Sequence, residues 1–260
     1  MSSHPKGFNP VTFNPLESGI ARYYHSIQAL QEKVIQSQFP ALDRVAGEMV
    51  KTIQNGGRIF IFGSGHSHMM AEEAFYRAGG LAPAVPIFSS ILMLHENPAL
   101  SSQLERTEGL AELLLKDYNP HPGEMLFIFS NSGVNSLPVE MALAGKRCGL
   151  YVVTVSSLAY ARVAPLSASG KRLDEAGDLA IDNGGEPGDA LLAIEGSYWK
   201  VGPSSTITGA LIWNCLVAEC AMRMAAAHQE PPVFASLNMP GAAEHNQNLL
   251  GEWRKVNPHL

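Results

Sequence analysis

The sequence predicts an α/β fold: a three-layer α/β/α sandwich around a mostly parallel, five-stranded sheet, preceded by N-terminal helices. Two observations carry this. Short apolar runs at residues 58–62, 125–129, 150–155, 179–181 and 190–194 alternate with helical stretches, the pattern of parallel strands covered on both faces. In addition, the strand ends run into Ser- and Gly-rich loops, where open parallel sheets place their ligands.

The elements follow in order. From residue 16 to about 38, Ile20, Tyr24, Ile27, Leu30 and Val34 recur at helical spacing. Pro40 is expected to break this helix, and Leu42, Val45, Met49 and Ile53 continue the pattern on a second one, stopped at Asn55-Gly56-Gly57. The run 58–62 enters Gly63-Ser64-Gly65 and then a helix over 67–77. Residues 89–122 read as an insertion with a helix around 104–116. The run 125–129 enters Ser130-Asn131-Ser132-Gly133, then a helix ending near Gly149, and the run 150–155 ends in Ser156-Ser157. The most apolar stretch, 207–227, carries Asn214, Glu219 and Arg223, so it reads as a buried helix and not a membrane span. The chain divides into a helical extension (1–50), a core domain (51–227) and a tail (228–260) expected to pack on the core or on a neighbouring subunit.

Composition narrows the function classes. With 46% hydrophobic and 16% charged residues in 260, a folded core is expected. A net charge of -6 argues against nucleic acid as a partner, although local N–H groups can still hold a small anion. Cys148, Cys215 and Cys220 form no metal-binding or disulfide pattern, and residues 1–10 have no signal-peptide character. A cytoplasmic protein with no membrane partner is expected.

Three loops carry the candidate chemistry. Gly63 and Gly65 permit a tight turn before Ser67; Ser130 and Ser132 flank Asn131 ahead of Gly133; and Pro203-Ser204-Ser205-Thr206-Ile207-Thr208 opens the long apolar helix. Any one of these serines reads as an ordinary cap or turn residue. Three such loops, each after a strand or before a helix, point to a cradle of hydroxyls and free N–H groups for an anion. A dinucleotide fingerprint fails because residue 68 is His where a third glycine belongs, and no Gly-Lys-Ser/Thr triplet marks a nucleotide P-loop.

The order Gly63-Ser64-Gly65-His66-Ser67, Ser130-Asn131-Ser132-Gly133 and Ser204-Ser205-Thr206 resembles the SIS (sugar isomerase) domain. Its flavodoxin-like fold is shared by phosphoheptose isomerase and N-acetylmuramic acid 6-phosphate etherase. A closer resemblance is to single-SIS-domain proteins regarded as phosphosugar isomerases. It rests on Gly65-His66-Ser67-His68, the stretch from Ala71 to Leu81, Ser169-Gly170-Lys171-Arg172-Leu173, Ile181-Asp182-Asn183, Gly188-Asp189-Ala190 and the tail from Pro231 to Asn238. The resemblance implies that Ser67, Ser130, Ser132, Ser204, Ser205 and Thr206, with Gly65 and Asn131 in the same loops, bind a phosphate or its surrogate. Asn135 stands where many SIS proteins carry Ser or Thr, which makes a sulfonate or carboxylate ligand credible as well.

Aldose–ketose isomerisation moves a proton between adjacent carbons through an enediol(ate). It needs a base and a group that serves the carbonyl oxygen. Glu73 is the leading base, with a helix-face ion pair to Arg77 as its ordinary alternative. Glu219 competes with it and has Arg223 four residues on. His66, inside the first loop, and His245, from a neighbouring chain, are candidates for the carbonyl oxygen. The resemblance to zinc-binding phosphoheptose isomerases would place Glu73, Arg77, Leu211 and Asn214 at the ligand positions. Arg and Leu cannot fill them, so neither metal nor cofactor is expected. The expected function is isomerisation of an aldose and ketose bearing a phosphate or other anion, by a homodimer or homotetramer. An amino-sugar-phosphate lyase or etherase and a non-catalytic sugar-phosphate sensor are the alternatives.

Overall fold

A computed structural model describes residues 18–167 and 169–260. The expected helix start at Leu16 lies outside them. Five strands, β1 (Ile59–Gly63), β2 (Ala84–Pro86), β3 (Met125–Phe129), β4 (Tyr151–Ser156) and β5 (Leu179–Asp182), form a wholly parallel sheet in the order β2-β1-β3-β4-β5. The flanking helices are α1 (Gly19–Gln54), α2 (Met69–Ala74), α3 (Pro98–Leu104), α4 (Leu110–Lys116), α5 (Ser136–Arg147), α6 (Leu158–Val163), α7 (Ser205–Ala226) and α8 (Ala242–Trp253).

Burial on both faces explains the uninterrupted apolar strands. Alternate residues point to opposite sides: Ile59, Ile61, Met125, Phe127 and Phe129 meet α1, α2 and α7. Phe60, Phe62, Leu126 and Ile128 meet the α4–α5 side. Each fully buried side chain of this size contributes about 1.5–3 kcal/mol. The stripe Ile212, Trp213, Leu216, Val217, Cys220 and Met224 places α7 in the first layer. By length and hydropathy α7 could cross a membrane, yet this stripe is spent on the sheet.

The structure corrects four sequence expectations. Pro40 does not break the first helix; α1 runs through it. Pro40 and Gln36 are both exposed, so water can reach the Gln36 carbonyl that loses its helical donor. The fifth strand is not 190–194 but β2, only three residues long. Residues Ala190–Ala193 (β6) instead pair antiparallel with Lys200–Pro203 (β7) in a separate hairpin. The helix expected over 67–77 is a 3₁₀ turn, Gly65–His68, followed by the short α2, and the one around 104–116 is divided between α3 and α4 with Gly109 at φ 82° between them. The apolar face of α1 is largely satisfied within the chain: Ile27, Leu30 and Val34 are buried, leaving Ile20 and Tyr24 exposed.

At the amino ends of the strands, Arg58 is held by Glu124 (Nε–Oε1 2.6 Å, Nη2–Oε2 2.9 Å) and donates to the carbonyls of Tyr118, Asn119 and Val256. The tail beyond α8 lies here, with Asn257 donating to the Ala84 carbonyl and His259 against Phe75, Phe88 and Tyr118. The Tyr118 hydroxyl accepts from the Phe88 N–H and meets His259 Nε2 at 2.9 Å.

Three measurements check these features. Glu124→Ala leaves Arg58 charged and buried, and should lower the unfolding free energy by about 3–5 kcal/mol in a denaturant titration. Gly63→Ala puts a Cβ 2.1 Å from the Ser67 carbonyl oxygen and should cost about 3 kcal/mol in the same assay. Burial lowers the His259 pKa from 6.5. The unfolded chain therefore binds this proton at higher pH than the folded one, so the contribution is complete above about pH 6.5 and is lost as pH falls below it. A melting temperature that declines below that pH in the native sequence, and declines less in His259→Gln, is the expected pattern.

Candidate functional site

The strand order reverses between β1 and β3. From β1 the chain moves outward to β2, then returns to place β3 on the other side. The carboxyl ends of two such strands diverge into loops on opposite faces and leave a crevice. Gly63 pairs with Phe129, so the loops beginning at Ser64 and Ser130 leave the sheet side by side. The absence of a side chain at Gly63 lets the first loop fold back closely enough for the Ser67 N–H to donate to the Ser64 carbonyl.

A narrow pocket lies in this crevice. His66 and Ser67 enter from the first loop, Ser130 and Asn131 from the second, Asn183 from the end of β5, and Ser205 and Thr206 from the start of α7. Ser130 is 4% exposed, and its hydroxyl has no hydrogen-bond partner among the described residues. The hydroxyl is open to the pocket, where a ligand or water can satisfy it. The Asn183 amide donates to Asn131 Oδ1 (2.9 Å), which fixes Asn131, and Asn183 Oδ1 accepts from the Gly185 N–H (2.9 Å). Gly209 allows α7 to approach closely: a Cβ there would sit 2.8 Å from Met70 Sδ. The free volume is about 10 Å³, room for roughly one water.

The start of α7 is already engaged. Asp189 Oδ1 accepts from Ser204 N (3.0 Å), Ser204 Oγ (3.0 Å) and Ser205 N (2.8 Å), and Oδ2 accepts from Ser205 Oγ (2.8 Å). A carboxylate thus occupies the positive end of a 22-residue helix. A further unit negative charge about 5 Å away would be opposed by about 3 kcal/mol at an effective dielectric of 20.

The sequence candidates separate accordingly. His66, Ser67, Ser130, Asn131, Ser205 and Thr206 converge on the pocket, with Gly65 (φ 57°) shaping its first loop. Ser204 is fully buried and bound to Asp189. Ser132 and Asn135 lie apart, lining another depression with Arg106 and Tyr160, and Asn135 Nδ2 donates to Glu105 Oε1 at 2.9 Å. Residues two apart on an extended strand would share a side, but the chain bends at Asn131 and Ser132 ahead of Gly133 at φ 62°, so the two serines leave it in different directions. Glu219 is about 21 Å along α7 from Ser205 and pairs with Arg223 Nε at 2.7 Å. His245, on α8, meets the Val233 carbonyl (2.8 Å) near the amino ends of the strands, so within one chain it is remote from the pocket.

Glu73 lies one turn beyond Met70 on α2. Its Oε1 receives both Arg77 and the Asn214 amide (2.8 Å), while Oε2 has no hydrogen-bond partner among the described residues. The ion pair with Arg77 forms although α2 ends at Ala74. His68 is turned inward between the Gly65 carbonyl and Glu72 (3.2 Å).

Two residues of this site escaped the sequence-based selection. Asn183 and Asp189 sat within stretches that resembled the SIS proteins, but neither stood in a Ser/Gly loop. Asp189 caps a helix that starts sixteen residues later, beyond the local spacing by which caps are recognised.

A larger cavity, about 580 Å³, opens at the opposite, amino ends of the strands beside Arg58, Glu124, Arg254 and Lys255. Its central groups, Arg58 and Glu124, are already satisfied by each other and by backbone carbonyls. The crevice therefore remains the candidate site.

Comparison with known proteins agrees with this architecture. The SIS domain family model matches residues 22–157. A UPF0309 protein of Halalkalibacterium halodurans is 42% identical over 242 residues, covering 93% of this chain and 97% of its own. A UPF0309 protein of Brucella canis is 36% identical over 239 residues, covering 92% and 98%. Among solved structures, a phosphoheptose isomerase from Francisella tularensis shares the fold, with a TM-score of 0.54 at 14% identity over 80% of this chain and 98% of that one. With the switch-point crevice, the parallel sheet and these near full-length matches together, the chain belongs to the SIS domain family and to the UPF0309 proteins within it.

Proposed function

We propose that the chain binds a sugar carrying a terminal phosphate in the β1/β3 crevice and interconverts its aldose and ketose forms. The observation that most supports the anion is Ser130: a buried residue whose hydroxyl has no partner among the described residues and lines the pocket that Ser67 and Thr206 also enter. Hydroxyls from three segments thus line one small volume and could donate to phosphate oxygens once the pocket widens to admit them.

A sugar anchored at Ser130 and extending along α2 would bring its carbonyl end toward Glu73. Arg77 and Asn214 hold Oε1, which orients the carboxylate and leaves Oε2 open. Glu73 takes the proton from the carbon beside the carbonyl, and His66 supplies a proton to the carbonyl oxygen. The resulting enediol collapses when Glu73 returns its proton to the former carbonyl carbon, while the hydroxyl on the adjacent carbon gives its proton back to His66 and becomes the new carbonyl. Atoms and electrons balance within the sugar, so the reaction needs no redox partner. The three unpaired cysteines suit a reducing, cytoplasmic setting. A homodimer or homotetramer is also part of the proposal, with exposed Ile20, Tyr24 and Met222 as candidate contacts and light scattering as its check.

Two variants test the anion site. Ser130→Ala should weaken binding of a sugar phosphate by about 1.5–3 kcal/mol in calorimetry, the scale of a hydrogen bond to a charged group. Ser132→Ala, outside the pocket, should leave it unchanged. Equal losses at the two positions would move the anion out of the crevice. For the chemistry, the measurement is deuterium exchange from solvent at the carbon beside the carbonyl of the best-bound sugar phosphate. Glu73→Gln should slow exchange by about 10²–10⁴-fold. No exchange by the native chain with any bound sugar phosphate would make the site a binding site only.

A further inference from the structure

The pocket is narrow in the free chain, and the donors on its α7 side are already engaged. Its free volume holds about one water, far less than a phosphate group. On the α7 side, both N–H groups and both hydroxyls of Ser204 and Ser205 are committed to Asp189. Ser205 also lines the pocket, so an anion reaching Ser130 and Thr206 meets the Asp189 carboxylate next to the same donors.

Asp189 is not an ordinary cap. It has φ 67°, in the left-handed region, directly after Gly188 at φ 82°. Such a backbone is unfavourable for a residue other than glycine, though Asp tolerates it better than most. It is also the last residue before the β6–β7 hairpin, whose other end enters Ser204 with Gly202 at φ 83°. Two glycines at positive φ, Gly188 and Gly202, therefore stand at the two ends of a hairpin that Asp189 and the Tyr23 hydroxyl, donating to the Pro203 carbonyl, tie to the body of the protein.

Resting on the phosphate-site reading above, we propose that Asp189 is a built-in competitor that an incoming anion displaces from the start of α7. The cost of displacement is the same for every anion, so only a ligand that holds these donors strongly overcomes it. A monoanionic carboxylate or sulfate ester exchanges one single charge for another and gains little. A phosphate ester, close to dianionic at pH 8 and with three acceptor oxygens, replaces the carboxylate with a stronger partner for the same donors. The unpartnered Ser130 hydroxyl is then the donor that the ligand gains and that Asp189 does not reach. Asp189 thus lowers the affinity for all anions by one factor and sets the strength a ligand must have to enter.

Methyl phosphate and methyl sulfate, alike in shape and different in charge, are the probes. Their binding to the full chain is measured at pH 8 by ligand-observed NMR, for the native sequence, Asp189→Ala and the shape-preserving Asp189→Asn, with folding checked by circular dichroism. The native chain should prefer methyl phosphate by about ten-fold or more, equivalent to about 1.4 kcal/mol. In Asp189→Ala both esters should tighten by a similar factor, with Asp189→Asn in between. If Asp189→Ala weakens both esters, Asp189 holds the ligand and the competitor role is wrong. If both esters bind all three proteins with unchanged affinity, the anion site stands and the role of Asp189 alone falls. If neither ester binds any of the folded proteins, the anion site and the competitor fall together.

Discussion

The adjacency of β1 and β3 is the constraint on which the site depends. Because Gly63 and Phe129 are paired partners, the first loop must turn back at once over the sheet, and only a residue without a side chain leaves room for the Ser67 carbonyl. That turn sets Ser67 beside Ser130, and the close approach of α7 at Gly209 adds Thr206. Three segments distant in sequence thus present hydroxyls to one small volume. The two apolar layers hold the strands in place; the glycines decide how near the loops can come.

Charge at the start of α7 is the second organising feature. A long helix ending in a buried crevice creates a site where negative charge is favoured. In this chain the position is filled by Asp189 from a neighbouring hairpin, so the free protein satisfies its own helix end. The cradle therefore has a filled half, at Ser204 and Ser205, and an open half, at Ser130 and Ser67.

Much of this was legible in the sequence. The alternation of apolar runs with helical stretches identified β1, β3, β4 and β5, and the Ser/Gly loops marked both sides of the crevice. What was not legible depended on long-range pairing. β2 is three residues long and gave no periodic signal, while residues 190–193 have strand character yet bond only to Lys200–Pro203. Pro40 looks like a helix stop in any local window, but exposure lets α1 absorb it. Within the loops, sequence places Ser130 and Ser132 together, and only the geometry of the strand end shows that they enter different depressions. Glu219 was attractive as a charge on an apolar helix, until its exposed pairing with Arg223 removed the need for a catalytic explanation.

The central claim is that an anion belongs between Ser130, Ser67 and the start of α7, at the carboxyl ends of the strands. A crystal structure grown with a hexose 6-phosphate addresses it most directly. The account predicts phosphate oxygens about 2.7–2.9 Å from Ser130 Oγ and from donors of Ser67 and Thr206, with the Asp189 carboxylate withdrawn from Ser204 and Ser205. A phosphate found instead at the amino ends of the strands beside Arg254 and Lys255, with Asp189 unmoved and the crevice still narrow, would contradict it.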